Sequence, residues 1–538
     1  MGRRLPALLL ALLLLTGCSS LPEEAEEPEE AMDWNLYQSQ VGPEKPAEEP
    51  EEAMDWNLYQ SQVGPEKPAE EPEEPEHPAV FSMAYYKDSP FDPIICGEGV
   101  QQDVASLLYE PLFQLNGKFQ PEPVLCESYA WDETGRICTL TLRQGVSFHD
   151  GSPLTARDAA ATLQRAAASD RYGYRLRGMA SAAASRSGEL VITLSAPNQG
   201  FLSLLDIPIT KSGAERQLIP VGTGPYLFIS GAEGDYLQAN GEWWQGKPLP
   251  VQTIPLVDTK DRDTARYLFS SRQIELLTVD PTDSMASATG QRQTASRATS
   301  ILQYIGFNTA SPVFGDPAVR EAFSRGVPRG STAEAQLAGM ALDAQFPVSP
   351  LSDLYPKDLE RAYSRDGAMT ALTAAGQNTG EEKILTLLVN EEDMFRRTSA
   401  QYIAENLTML DWNITVRTLP WEEYLAALES GDFDLYYGEV RLTADWDLSD
   451  LVGTGGALNY GGYSDPVVDG LLANYAAAPD RAASLRQLLA YLQTASPIVP
   501  VCFKNYSVLT YPGTAEGVSP SPTSTFYGLE NWKIHLSQ

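Results

Sequence analysis

Three groups of residues have types and spacings that could do chemistry. His149 stands beside Asp150 in "LRQGVSFHDGSPLTARD" (142–158), an adjacency from which a general base or a metal site could grow. Asp445, Asp447 and Asp450 crowd into "TADWDLSD" (443–450), and neighbouring carboxylates can share proton transfer or hold a cation. Cys96, Cys126, Cys138 and Cys502 could act as nucleophiles, ligands or disulfide partners. Each group also has a plainer reading. Asp150-Gly151 is a favoured tight-turn pair, and Thr155 with Asp158 forms a T-x-x-D cap for a following helix, so every residue here has a local structural task. Of the three histidines, His77 lies in a repetitive tail, which leaves His149 and His535 for imidazole chemistry. Acidic clusters like 445–450 are more often solvated loops than acid–base pairs. The cysteines follow no CxxC or Cys/His spacing, which argues against structural zinc; two could pair in an exported chain, but buried, unpaired thiols are the larger expectation. No GxSxG, HExxH, Walker loop or dinucleotide fingerprint occurs. The residues therefore read as a binding protein, not an enzyme, with no metal and no cofactor expected.

The elements that must position these residues alternate. In 79–310 the pattern is mixed α/β with short strands. Val104, Leu107 and Leu108 start a helix that ends near Pro111; Cys138, Leu140 and Leu142 alternate with Thr139 and Thr141, and "DETG" (132–135) makes 127–143 a hairpin; 188–194 is another strand. From 384 the order becomes strand (384–389), helix (394–410, with Ile403, Leu407 and Leu410 on one face), strand (413–419), helix (421–430) and strand (432–440). Such a β-α-β-α-β run in one sheet requires parallel strands and right-handed crossovers. The Gly-, Asp- and aromatic-rich loop 441–463 follows the third strand, at the strand end where open α/β sheets bind ligands. A helix at 480–494 and a strand at 497–503 close the pattern. This is an α/β chain of two lobes with a cleft between them.

The first eighty residues stand apart. Arg3 and Arg4, the apolar run Leu8–Leu15 and "LTGC" (15–18) read as a secretory signal too short to span a bilayer permanently. The last four residues resemble the bacterial lipobox, which implies cleavage before Cys18 and a diacylglyceryl (palmitate-type) anchor on its sulfur. Ala25–Pro46 then recurs unchanged as Ala47–Pro68. Residues 19–78 hold 19 acidic and 2 basic residues, half of the whole-chain net charge of −34. A segment so acidic and rich in Pro buries too little to offset ordering and reads as an extended stalk, with "MDWNLYQ" a candidate docking motif. The remaining negative charge is spread without blocks, and with no basic stripe nucleic acid is not expected as a partner.

Segments spread along the globular part carry a family resemblance: "LLYEPLFQL" (107–115), "PEPVLCESYAWDETGRICTLTLRQGVSFHDGSPLTARDAAATL" (121–163), "GTGPYLF" (222–228), "IGFNT" (305–309), "NYGGYSDPVVDGLL" (459–472) and "SPIVPVCF" (496–503). In order and spacing they resemble the bacterial extracellular solute-binding proteins of the peptide and nickel type, family 5. The resemblance implies a two-lobed periplasmic-binding-protein-like fold (type II, large peptide-binding cluster) with a hinge: lobe I at 79–307, lobe II at 308–499, and a return to lobe I at 500–538. It implies a monomeric, lipid-anchored receptor on the extracytoplasmic face of the membrane that hands short peptides to an ABC permease. It places Asp445 opposite the ligand's α-ammonium group, Arg441, Leu442 and Thr443 as a main-chain rail, and Cys96, Gly97 and Glu98 as the facing rail. The loop departs from the family, which often carries an Asp-Pro pair where this chain has "DWDLSD", and "GVPRGSTAE" (326–334) replaces a common Asp-Arg pair. Alternatives of the same fold are a receptor for a nickel chelate, haem or sugar, and a peptide sensor uncoupled from transport.

Overall fold

The computed structural model describes residues 78–96, 99–215, 217–280, 282, 291–337, 339–377, 382–408 and 412–537. Its backbone is an 11-stranded sheet that joins the two lobes, with one short strand, Ala341–Asp343, pairing off the main path with Ile498–Thr510. At one end lie the parallel strands Trp412–Leu419, Lys383–Asn390 and Leu435–Arg441. At the other lie Leu276–Val279, Met83–Tyr85, Thr253–Asp258, Gly234–Ala239 and Tyr226–Gly231. Two long strands, Gln293–Phe307 and Ile498–Thr510, pair antiparallel in the middle and belong to both ends.

Those two strands are where one lobe becomes the other. The first half of Gln293–Phe307 pairs only with Ile498–Thr510; from Ile301 onward it also pairs with Leu435–Arg441 of the second lobe. Between the halves the register slips, leaving Ala298–Ser300 opposite Asn505. Such a bulge bends a strand and sharpens its twist. Side chains anchor it: Thr299 Oγ1 donates to the Lys504 carbonyl, and Ile301 N–H donates to Thr299 Oγ1 at 3.0 Å. A second slip falls where Pro500, which has no N–H to give the ladder, enters the pairing.

The parallel strands and helices read from 384–440 are present as Lys383–Asn390, Met394–Thr408, Trp412–Leu419, Trp421–Ser430 and Leu435–Arg441. Ile403 and Leu407 of the first helix are fully buried in the second-lobe core with Phe314, Phe323 and Trp412; Leu410 lies outside the described residues. In the first lobe the hairpin is Cys126–Trp131 with Ile137–Leu142, extended by Leu190–Leu194 and Met179–Ala184 into a four-stranded antiparallel sheet. Helix Ala156–Ala167 packs on it through Ala159, Leu163 and Ala166. Its start has the capping box expected from Thr155 and Asp158, with Thr155 N–H donating to Asp158 at 3.0 Å.

His149 and Asp150 form the corner before that helix. Gly151 takes φ +79° and returns its N–H to the Phe148 carbonyl at 2.8 Å. The His149 ring is pinned to the Gly224 carbonyl at 3.0 Å, and burial lowers its pKa; Asp150 pairs with Lys211 instead. Cys96, Cys126, Cys138 and Cys502 are all buried and unpaired. The last described residue meets the first: Ser537 N–H donates to the Pro78 carbonyl at 2.9 Å.

Candidate functional site

Leu435–Arg441 emerges from the sheet beside the bulge and turns at once. Leu442 gives its N–H to the Ser300 carbonyl at 2.9 Å and takes Ser300 Oγ on its own carbonyl at 2.6 Å. Both main-chain groups of Leu442 are thus engaged with Ser300, which ties the loop to the bulged strand. The next turn closes when Trp446 N–H donates to the Thr443 carbonyl at 2.9 Å. Trp446 sits at φ +54°, a region a bulky side chain rarely visits, and its ring is fully buried. Backbone strain of this kind persists only where the surroundings over-determine it, and such residues gather at ligand clamps.

The strained turn places Asp445, 4% exposed, at the boundary between lobes. Its carbonyl accepts from Tyr475 Oη at 2.7 Å and from Arg481 Nη2 at 2.6 Å, which fixes the main chain from within the second lobe. Its carboxylate faces the first lobe, where Asn198 Nδ2 donates to Oδ2 at 2.8 Å. Gly200 passes so close that a Cβ there would stand 2.8 Å from the Asp445 Cβ and 2.5 Å from Arg481 Nη2. Beside them Gln199 N–H donates to the Ala476 carbonyl at 2.9 Å, a main-chain bond from lobe to lobe.

Two further first-lobe segments reach the same loop. Phe119, itself at φ +62°, stacks its ring 5.1 Å from Trp446, and Trp446 meets Phe503 at 6.0 Å on its other side. Flanking Phe119, Lys118 and Gln120 hold Asp353 of the second lobe at 3.1 and 2.6 Å. Arg177 pairs with both Asp447 and Asp450. The acidic loop 445–450 is therefore a contact surface between lobes and not a solvated tip.

At the back of the boundary lies a buried ionic group. Lys504 Nζ is 2.9 Å from Asp280 Oδ2 in the first lobe and 3.5 Å from Glu439 Oε1 in the second. Gln303 Nε2 donates to the other Glu439 oxygen at 2.9 Å. Burial alone would raise the Glu439 pKa, but Lys504 and Arg396 outweigh it and hold the carboxyl well below its ordinary value.

Of the residues expected at the site, Arg441, Leu442, Thr443 and Asp445 share this one turn. Cys96 is in the first lobe, with its carbonyl taking Arg171 Nη1 at 2.8 Å, while Gly97, Glu98 and Cys18 lie outside the described residues. Asn198, Gly200, Arg177, Tyr475 and Arg481 join the site without any sequence signal of that role. "PNQG" (197–200) signals a turn, but nothing local tells which surface that turn will touch.

Residues 120–454, which hold the hairpin, the capped helix, the bulged strand and the Asp445 turn, match the family described as "Bacterial extracellular solute-binding proteins, family 5 Middle". The chain belongs to that family. As a family-5 solute-binding protein it is 24% identical over 483 residues to the oligopeptide-binding protein AppA of Bacillus subtilis, spanning 82% of this chain and 89% of that one. It is 27% identical over 425 residues to the glutathione-binding protein GsiB of Escherichia coli O1:K1, spanning 73% and 82%. Among solved structures, HbpA2 from Haemophilus parasuis superposes with a TM-score of 0.72 at 22% identity, over 85% of this chain and 99% of that one. AppA of Bacillus subtilis, solved in complex with a nonapeptide, superposes with a TM-score of 0.59 at 22% identity, over 86% and 100%. The fold is thus the two-lobed one of this family, whose members are extracytoplasmic solute-binding proteins of transport systems and not enzymes.

Proposed function

We propose that this family-5 protein captures short peptides between its lobes and delivers them to an ABC permease, with Asp445 binding the peptide's α-ammonium group. The supporting observation is the placement of Asp445: a nearly buried carboxylate on a rigid, strained turn, aimed across the lobe boundary at a neutral amide. A carboxylate so placed gains a strong charge-assisted hydrogen bond with an ammonium once the lobes exclude water. The main chain of Arg441, Leu442 and Thr443, and that of Cys96, Gly97 and Glu98 opposite, would hold the peptide as an added strand. The lobes we assign are 79–307 with 500–538, and 308–499, moving about the bulged strands. Cys18 carries the lipid anchor in this reading, and the acidic stalk sets the distance from the membrane.

Asp445→Asn tests the central claim. Calorimetric titration with di- to pentapeptides should show free-amine peptides weakened about tenfold or more, and N-acetylated peptides little affected. Equal effects on both classes would remove Asp445 from the role. Glutathione belongs in the same panel, because the relative GsiB is named for binding it.

A further inference from the structure

Asp447 and Asp450 follow Asp445 in the acidic loop, and the structure gives both of them one partner from the opposite lobe. Arg177 follows the short helix Gly173–Leu176 of the first lobe. Its Nη1 meets Asp450 Oδ2, and its Nη2 lies 3.4 Å from Asp447 Oδ2. The pair of aspartates flanks the same turn that carries Asp445 and ends in the helical turn Ser449–Val452, with Ser449 N–H on Asp447 Oδ1 at 2.9 Å. These contacts join the two lobes, and they sit on the loop that carries the Asp445 carboxylate.

We propose that Arg177, Asp447 and Asp450 form a charge clasp at the mouth of the cleft that favours the closed arrangement and positions the Asp445 turn. The clasp rests on the reading of this cleft as the ligand site, but it does not need the ligand to be a peptide. The loop sequence "DWDLSD" supplies two carboxylates within reach of one guanidinium. The three side chains are 46%, 40% and 34% exposed, so water and salt screen them and the clasp can open and reform. Neighbouring contacts set its reach. Asn198 on Asp445, Gln199 on Ala476 and Phe119 on Trp446 lie on the same loop or beside it, so opening the clasp loosens a continuous seam.

The test measures closure directly as well as affinity. Spin labels at Arg186→Cys and Val467→Cys, both exposed and one on each lobe, report the interlobe distance in the full chain by dipolar spectroscopy. Arg177→Glu should lengthen that distance at low salt, with and without added trialanine. It should also weaken trialanine or glutathione binding about two- to fivefold, the range expected of exposed ion pairs. The charge swap, Arg177→Glu with Asp447→Arg and Asp450→Arg, should restore both, and about 0.5 M NaCl should shrink the difference. Unchanged distances in Arg177→Glu, or a swap that restores nothing, would overturn the clasp. If neither probe binds the wild type, the peptide reading fails while the label-to-label distance still decides the clasp. Arg177→Gln guards against misfolding of the charge-reversed chain and should give a smaller change of the same sign.

Discussion

Charges join the two lobes at the hinge and at the mouth, and the two places use them in opposite ways. At the hinge Lys504, with a side chain 5% exposed, lies between Asp280 of one lobe and Glu439 of the other beneath the paired long strands. At the mouth Arg177 bridges two aspartates, all three side chains partly exposed to water. Breaking a buried pair leaves an uncompensated charge in a poor solvent, whereas breaking an exposed one returns each charge to water. The hinge arrangement is therefore costly to break, and the mouth arrangement is easily remade. Depth, not the number of ion pairs, sets that difference.

The largest expected effect comes from attacking the deep pair. Lys504→Met keeps the volume but removes the buried cation shared by Glu439 and Asp280, and thermal or denaturant unfolding should show a loss of about 3–5 kcal/mol. The lowered pKa of Glu439 gives a second signature. A depressed carboxyl contributes stability that is full above its unfolded pKa near 4.5 and is lost as pH falls towards its folded value of about 2. Acid unfolding of the wild type should show that loss, and Lys504→Met should show much less of it. A variant as stable as the wild type would mean the hinge charges are no deeper in effect than those at the mouth.

Glu275 sharpens the contrast, because its burial is answered by main chain and not by a cation. It leads into the strand Leu276–Val279, and Ser82 meets it twice: the Ser82 N–H donates to Glu275 Oε2 at 2.5 Å, and the Ser82 carbonyl accepts the Glu275 N–H at 3.0 Å. Burial pushes its pKa up to about 7, which the bonds from Ser82 only partly offset. A raised carboxyl works in the other direction: stability is highest below the unfolded pKa near 4.5 and falls as pH rises through about 7. That decline amounts to about 3 kcal/mol at most, since each tenfold change in proton affinity is worth about 1.4 kcal/mol. Glu275→Gln should flatten the pH dependence of unfolding between about 4.5 and 7; an unchanged slope would show that the group is already wet. The smallest effect is expected far from either junction. Thr155→Ala removes half of the capping box and should cost about 1 kcal/mol in unfolding while leaving the interlobe distance unchanged. A shift in that distance would mean that the first lobe does not move as a rigid body.

The sequence was legible wherever local pattern decides structure. Alternation placed the Cys138–Leu142 strand, helical spacing placed the element at 394, and T-x-x-D placed the cap at Thr155, because neighbours in the chain settle each of these. The acidic loop was half legible. Its resemblance to the family singled out Asp445, but Asp447 and Asp450 read as a solvated cluster, since their partner Arg177 is some 270 residues away. Asn198 and Gly200 were hidden for the same reason, being a turn by composition and a lobe contact only by tertiary placement. Of the two long crossing strands, the apolar start of Ile498–Thr510 was read at 497–503, whereas Gln293–Phe307 escaped, because its polar half, Gln293–Arg297, lacks the apolar run that marks a buried strand.

The bond between Ser537 and Pro78 brings the two ends of the folded part together on the first lobe. Any tether entering at Pro78 therefore holds that lobe alone and leaves the other free to swing. A fluorescent protein fused after Gln538 would ride on the held lobe and leave the cleft's mouth unobstructed. A circular permutant that joins these ends and opens a second-lobe surface loop would reverse the arrangement, holding the swinging half and releasing the other.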